Sequence, residues 1–346
     1  MKTNEHIKVG ISIGDLNGIG PEIVIKTFED SRSLELYTPV IFASSRIMNF
    51  FRKHFSSKIN FHEINDLDKI AHGKVNVFNV WKEAVNIQFG KEDKKIGEYA
   101  IKSLESAVDA LKKDAIDVLV TAPINKHNIQ SDTFNFPGHT NYLEQQLEGN
   151  SLMFMISENL RVGLLTDHVP VKDVPSYITE DLIRQKVATV SKSLIQDFAI
   201  SKPKIAVLAI NPHAGDNGVI GNEDDTVLKP ALEKLRQEGS LVYGPYSADS
   251  FFGSNSYKNF DAVIASYHDQ GLIPFKTITF GSGVNYTAGL NKVRTSPDHG
   301  TAYEIAGKGE ADESSFKRAV FAGIEIFRRR RDYNLYAKNP LKKMTR

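Results

Sequence analysis

Short runs of apolar and β-branched residues recur along the chain and alternate with segments whose apolar positions repeat at helical spacing. The runs Ile7–Ile13, Val40–Ala43, Asp117–Thr121, Leu152–Ile156, Val162–Thr166, Lys204–Ile210 and Asp261–Ser266 read as strands. Among the intervening segments, Ala100, Leu104, Ala107 and Leu111 line one face of a helix. Near-continuous apolar strands separated by helices predict an α/β fold with a largely parallel sheet. Residues 55–98 are richer in Lys, Asn and Asp, weaker in pattern, and read as a more exposed part of a first lobe. A last amphipathic helix is expected from near Ser314. Its Arg328–Arg331 run reads as a solvated C-terminal end that complements the helix dipole.

The 346 residues suffice for two lobes. A formal net charge of +1 argues against nucleic acid or a membrane surface as partner, while leaving room for a local anion pocket. The chain has no cysteine, which excludes disulfides, thiolate metal sites, Fe–S clusters and a cysteine nucleophile. The N-terminal residues read as a first strand and not as a signal peptide. No apolar run approaches the roughly 18 residues of a membrane span, so the expected compartment is the cytoplasm.

Function in open α/β sheets gathers beyond the carboxyl ends of strands, and those ends are unusual here. The first strand runs into Gly14-Asp15-Leu16-Asn17-Gly18-Ile19-Gly20-Pro21-Glu22, a strand–helix turn that could also present backbone N–H groups to an anion. Thr121-Ala122-Pro123-Ile124-Asn125-Lys126 follows another strand. After it comes Phe136-Pro137-Gly138-His139-Thr140, where a Pro-Gly turn would place His139 and Thr140 on an exposed loop. His168, His213 and His268 each follow a strand. One such histidine is more often structural, but three at equivalent ends could meet around a single divalent ion. Lys276 and Arg294 are candidate anion ligands or, each alone, surface salt-bridge residues. The segment Asp298-His299-Gly300-Thr301-Ala302 could let backbone approach a nucleotide.

Taken together, GDLNGIGPE, TAPINK, PGHT, NPHAG, YHDQGL and RTSPDHGTA, in that order, resemble the 4-hydroxythreonine-4-phosphate dehydrogenase (PdxA) family of vitamin B6 synthesis. The resemblance implies two α/β/α lobes with a central cleft, similar to isocitrate and isopropylmalate dehydrogenases. Residues 1–133 and 285–346 would form the first lobe and residues 134–284 the second. It implies His168, His213 and His268 as ligands of Zn²⁺, Co²⁺ or Mg²⁺, in a homodimer whose active sites draw on both chains. By the same resemblance His139, Thr140, Lys276, Asn285 and Arg294 bind substrate, Asp249 lies near the reacting centre, and His299, Gly300 and Ala302 bind NAD or NADP. The implied reaction oxidises a small phosphorylated hydroxy amino acid, 4-phosphooxy-L-threonine, to a β-keto acid. That acid decarboxylates to 3-amino-2-oxopropyl phosphate. Alternatives are a dehydrogenase of erythronate or threonate 4-phosphate and, further off, a phosphate acyltransferase-like enzyme. The sequence departs from the family pattern at Leu16-Asn17, where Pro-Ala is usual, and at Asn141, where Glu is usual.

Overall fold

The computed structural model describes residues 6–131, 134–136 and 138–338. Pro137, and with it the expected Pro-Gly turn, lies outside the described residues. The strands, in chain order, are β1 (Lys8–Ser12), β2 (Thr38–Ala43), β3 (Phe61–Ile64), β4 (Val75–Asn79), β5 (Val118–Thr121) and β6 (Gly149–Ile156). They continue with β7 (Arg161–Leu164), β8 (Ile205–Leu208), β9 (Val242–Tyr246), β10 (Ala262–Ala265), β11 (Val284–Leu290) and β12 (Val293–Pro297). The helices are α1 (Gly20–Thr27), α2 (Ser45–His54), α3 (Lys94–Lys112), α4 (His139–Gln146) and α5 (Val174–Tyr177). After these come α6 (Glu180–Gln196), α7 (Lys229–Gln237), α8 (Ala248–Gly253), α9 (His268–Ile278) and α10 (Ser314–Ala337).

The chain forms two compact units. The first comprises Met1–Ser151, Val284–Tyr286 and Leu290–Ile324, and the second Leu152–Gly283, Thr287–Gly289 and Glu325–Arg346. In the first unit the strand order is β3-β4-β2-β1-β5-β12-β11, parallel except for the β11–β12 pair. In the second it is β6-β7-β10-β8-β9, parallel except for β6–β7. The expected α/β class with largely parallel strands is therefore what forms. The α3 stripe is buried as its spacing requires: Ala100, Leu104, Ala107 and Leu111 are at most 1% exposed.

The division falls at Ser151, not at residue 133. The reason is packing: Tyr142, Leu143 and Leu147, on and just after α4, join Leu104, Val108 and Leu111 in the first unit's core. The C-terminal turns of α10 belong to the second unit. There the expectation of a solvated arginine run fails at Arg330, which is 8% exposed and bonds the fully buried Asp197 through Nε at 2.8 Å. Ser193 Oγ donates to the same carboxylate at 2.8 Å. The helix also continues to Ala337, so the arginines sit inside it and a dipole argument does not apply.

Breaking a buried ion pair leaves an uncompensated charge, so Arg330→Ala should cost about 3–5 kcal/mol in denaturant unfolding. Arg331→Ala, at an exposed pair, should cost about 1 kcal/mol or less. Equal losses for the two variants would mean that Arg330 is solvated after all.

Candidate functional site

In the first unit, β12 pairs in parallel with β5, so Arg294 lies opposite Leu119 and near the carboxyl end of β5. Its Nε donates to Thr121 Oγ1 at 3.1 Å. The guanidinium is 2% exposed, and burial draws its pKa down to about 9. His139 opens α4. Its pKa lies well below 6.5, first because burial disfavours the imidazolium and then because the charges of Arg294 and Lys126 repel it. The ring is therefore neutral at physiological pH, and its Nε2 is buried without a hydrogen-bond partner among the described residues. Thr140, half-buried, follows it in the first turn of α4, where backbone N–H groups face outward along the axis. Asn285 sits opposite Ser296 across β11–β12, and strand alternation puts Asn285, Ser296 and Arg294 on one face. Asn285 Oδ1 is likewise buried without a partner. Two cations acting on one neutral imidazole make the surroundings of His139 positive, as suits an anion.

The Gly14–Glu22 loop does not serve as the anion cradle that its glycines suggest. Asp15 N donates to Pro123 O, Asn17 N to Asp15 Oδ1, Gly18 N to Asp15 O and Ile19 N to Thr301 O. These donors are consumed inside the protein. Gly18 is required because a Cβ there would stand 2.9 Å from Thr301 O. The departure at Leu16-Asn17 is also structural. Both residues are fully buried, and Asn17 bonds Lys91 O and Gln88 N at 2.9 Å each, bracketing residues 88–91. Asn141 is exposed on α4.

Three residues that the sequence reading did not single out form a network beneath the candidate nucleotide segment. Tyr303 Oη donates to Asp15 Oδ2 at 2.7 Å, and Asn128 Nδ2 donates to Tyr303 Oη at 3.0 Å and to Asp15 Oδ2 at 3.3 Å. Burial raises the Asp15 pKa against these bonds. The available signal was an acidic residue placed directly after a buried strand and a glycine. Above this network His299 Nε2 is buried and unpartnered among the described residues. Gly300 is exposed, with nothing within 4 Å of where a Cβ would lie, and Ala302 takes a left-handed φ of 43°.

In the second unit, the strand-end histidines follow β7, β8 and β10. His168 and His268 come together, with ring centroids 5.9 Å apart. Both rings belong to one chain, so this pair does not need a partner to assemble. His268 Nδ1 meets Asp269 Oδ1 at 2.7 Å, and His168 Nδ1 lies 3.7 Å from Asp167 Oδ2. A carboxylate only accepts, so it is His268 Nδ1 that donates to Asp269. The His168 bond is the largest cause holding the Asp167 pKa down at about 2. His213 lies on a run of left-handed residues, His213 to Asn217, all with positive φ. Its charge acts on Asp249. Among the described residues no three His, Asp or Glu side chains are grouped closely enough to hold a metal, so His213 does not complete a trio as placed.

Asp249 is exposed on α8. Ser247 Oγ donates to it at 2.6 Å, and that bond is the first cause of a lowered pKa. It is thus ionised at neutral pH and a weak proton acceptor, which reduces its merit as a general base. Lys276 is exposed on the last turn of α9. No helix among the described residues is long and apolar enough to cross a membrane.

Comparison with known proteins places this geometry in context. Residues 35–322 match the family model described as pyridoxal phosphate biosynthetic protein PdxA. A 4-hydroxythreonine-4-phosphate dehydrogenase of Bacteroides thetaiotaomicron is 46% identical, over 97% of this chain and 93% of that one. One from Sulfurihydrogenibium is 40% identical, over 94% of this chain and 100% of that one. The crystal structure of such a dehydrogenase from Burkholderia phymatum is 31% identical and superposes with a TM-score of 0.76, covering 93% of this chain and 99% of that chain.

The neutral His139 has a measurable consequence. The unfolded chain takes up a proton near the ordinary 6.5 and the folded chain does not. Stability should therefore fall as pH drops below about 6.5 and be indifferent to this group above it. His139→Gln should flatten that part of the pH profile. In NMR the His139 ring should hold one chemical shift from about pH 8 to pH 6; titration at the ordinary value would contradict the buried, cation-flanked environment.

Proposed function

The chain belongs to the PdxA family and is an oxidoreductase, and on that premise we propose that it oxidises 4-phosphooxy-L-threonine in pyridoxal 5'-phosphate synthesis. The observation that carries this reading is the buried Arg294 beside neutral His139, within range of the Lys126 charge. A guanidinium held in place by Thr121 brings a planar positive charge that suits a phosphate or carboxylate. His139 Nε2 and the Thr140 hydroxyl would complete the anion's hydrogen bonds. Asn285 Oδ1, a buried acceptor, suits the substrate's ammonium group, which favours the amino acid phosphate over erythronate or threonate 4-phosphate. By the family resemblance Lys276 would also bind substrate.

The reaction removes a hydride from the carbinol carbon and a proton from its hydroxyl. NAD⁺ or NADP⁺ would supply the hydride acceptor, held by the His299–Ala302 segment, where exposed Gly300 leaves room for close approach. His168 and His268 would be ligands of a divalent cation: their rings lie together, and Asp269 engages the His268 Nδ1, leaving that ring's Nε2 for a metal. Zn²⁺, Co²⁺ or Mg²⁺ bound there, with His213 as a further donor, would stabilise negative charge on the substrate oxygen and so aid the later loss of CO₂. Asp249, ionised and near the His213 charge, or a water would take the hydroxyl proton. The active form would be a homodimer with sites drawing on both chains. Exposed Ile273 on α9 and Phe280 just after it, 63% and 94% accessible, supply apolar surface for such an interface.

The test is NAD(P)H production from 4-phosphooxy-L-threonine against erythronate and threonate 4-phosphates. The amino acid phosphate should show the highest kcat/KM; a preference for either sugar acid would replace the substrate while leaving the dehydrogenase standing. Arg294→Lys should lose roughly ten- to hundredfold in kcat/KM, the value of a charge-assisted contact. Wild-type kinetics in that variant would remove Arg294 from the substrate site. His268→Ala should lose bound divalent metal in elemental analysis while its circular dichroism is unchanged, and full metal occupancy would overturn the ligand assignment.

A further inference from the structure

The candidate cofactor segment is held from outside by residues that the dehydrogenase reading does not use. Phe89 and His54 meet it at Gly307. That glycine takes a left-handed φ of 78°, and a Cβ on it would fall 2.5 Å from the Phe89 ring. The backbone therefore lies directly on the ring, an approach that only glycine allows. His54, the exposed last residue of α2, packs its ring 4.6 Å from that of Phe89. Its Nε2 is 2.8 Å from Gly307 O. A carbonyl only accepts, so Nε2 donates.

Phe89 in turn needs support, because it lies between β4 and α3 in a stretch, residues 80–93, that forms no helix or strand. Long ordered loops of this kind are uncommon in compact domains and are usually tied to function. Asn17 supplies the support. Its Oδ1 accepts from Gln88 N, its O from Gly90 N, and its Nδ2 donates to Lys91 O, each at 2.9 Å. These bonds bracket Phe89. Gly90 backs onto the same segment, since a Cβ on it would stand 2.7 Å from Tyr303 O. An Ala at position 17, usual in the family, could make neither side-chain bond, so both depend on this chain's departure from that pattern.

We propose that Asn17, Phe89 and His54 are positioning residues for the nicotinamide cofactor, which they reach through Gly307. This rests on the reading that His299–Ala302 holds NAD⁺ or NADP⁺. Tight turns carry the hold from Gly307 back to Ala302: Ile305 N donates to Ala302 O, Ala306 N to Tyr303 O and Lys308 N to Ile305 O. A segment fixed before its ligand arrives loses less conformational freedom on binding.

Two readouts independent of turnover test this. Binding of NADH and NADPH to the full-length protein is followed by cofactor fluorescence. Amide hydrogen exchange measures the protection of residues 299–311 without cofactor. His54→Leu, at an exposed position that does not decide folding, should weaken binding about three- to tenfold, the value of one hydrogen bond. It should also speed exchange across 299–311. Phe89→Ala and Asn17→Ala should do the same. His54→Gln, whose amide can still donate to Gly307 O, should restore both readouts. Gly300→Val checks the underlying reading. A Cβ at Gly300 meets nothing within 4 Å, so the added side chain should obstruct only the cofactor and weaken its binding. If Gly300→Val weakens binding while His54→Leu and Phe89→Ala do not, the positioning role falls and the segment keeps its cofactor. If Gly300→Val binds as the wild type does, the cofactor lies elsewhere and the proposal falls with that reading. A His54→Gln protein as weak as His54→Leu would also overturn it, since the bond to Gly307 O would not then be what acts.

Discussion

A carboxylate buried at the end of a strand has to be hydrogen-bonded or it destabilises the fold, and Asp15 imposes that demand on the first unit. It is 1% exposed, and its donors come from Asn17, Asn128 and Tyr303, which are 2, 113 and 288 positions away. Satisfying one carboxyl therefore ties three distant stretches together. Glu22, also buried, repeats the device: its Oε1 accepts from Ala311 N at 2.8 Å and pairs with Lys26 at 2.9 Å. The segment from residue 299 to 311 is thus fastened to the 14–22 loop at both ends. The two motifs read from the sequence as separate candidates are one assembly, in which the first positions the second. A segment held this way can present backbone to a ligand without paying for its ordering at the moment of binding.

The alternation of apolar runs and helical stripes made seven strands and the α3 stripe legible, because each has a continuous or evenly spaced buried face. What it missed has more than one cause. β11 and β12 carry Asn285, Thr287, Arg294, Thr295 and Ser296, polar residues at buried or half-buried positions, and read as a functional block with no strand period. A strand whose buried positions bind or hydrogen-bond instead of packing loses its sequence signature. β3 and β4, in the charged stretch 55–98, are short and near the sheet edge, where few positions need be apolar. Arg330 was misread for the opposite reason: its partner, Asp197, is far off in sequence, and a run of four arginines looks solvated from composition alone.

Among the site residues, the histidines were recognisable as strand-end residues, but sequence spacing did not distinguish their roles. The charges around them do. His139 stands among cations, its imidazole is held neutral, and its buried nitrogen is matched to a ligand that brings negative charge. His168 and His268 stand beside Asp167 and Asp269, and Asp269 accepts from the His268 Nδ1. The same side chain thus stands among cations in one unit and beside carboxylates in the other. His213 follows neither pattern: it rides on left-handed backbone, where each non-glycine residue costs of order 1 kcal/mol or more. Strain of that kind persists only where surrounding bonds hold it. Here Asp224 accepts from Ile210 N and Asn211 N, while Glu223 takes the Asn211 side chain. Those bonds anchor the loop's ends to the residues that follow it.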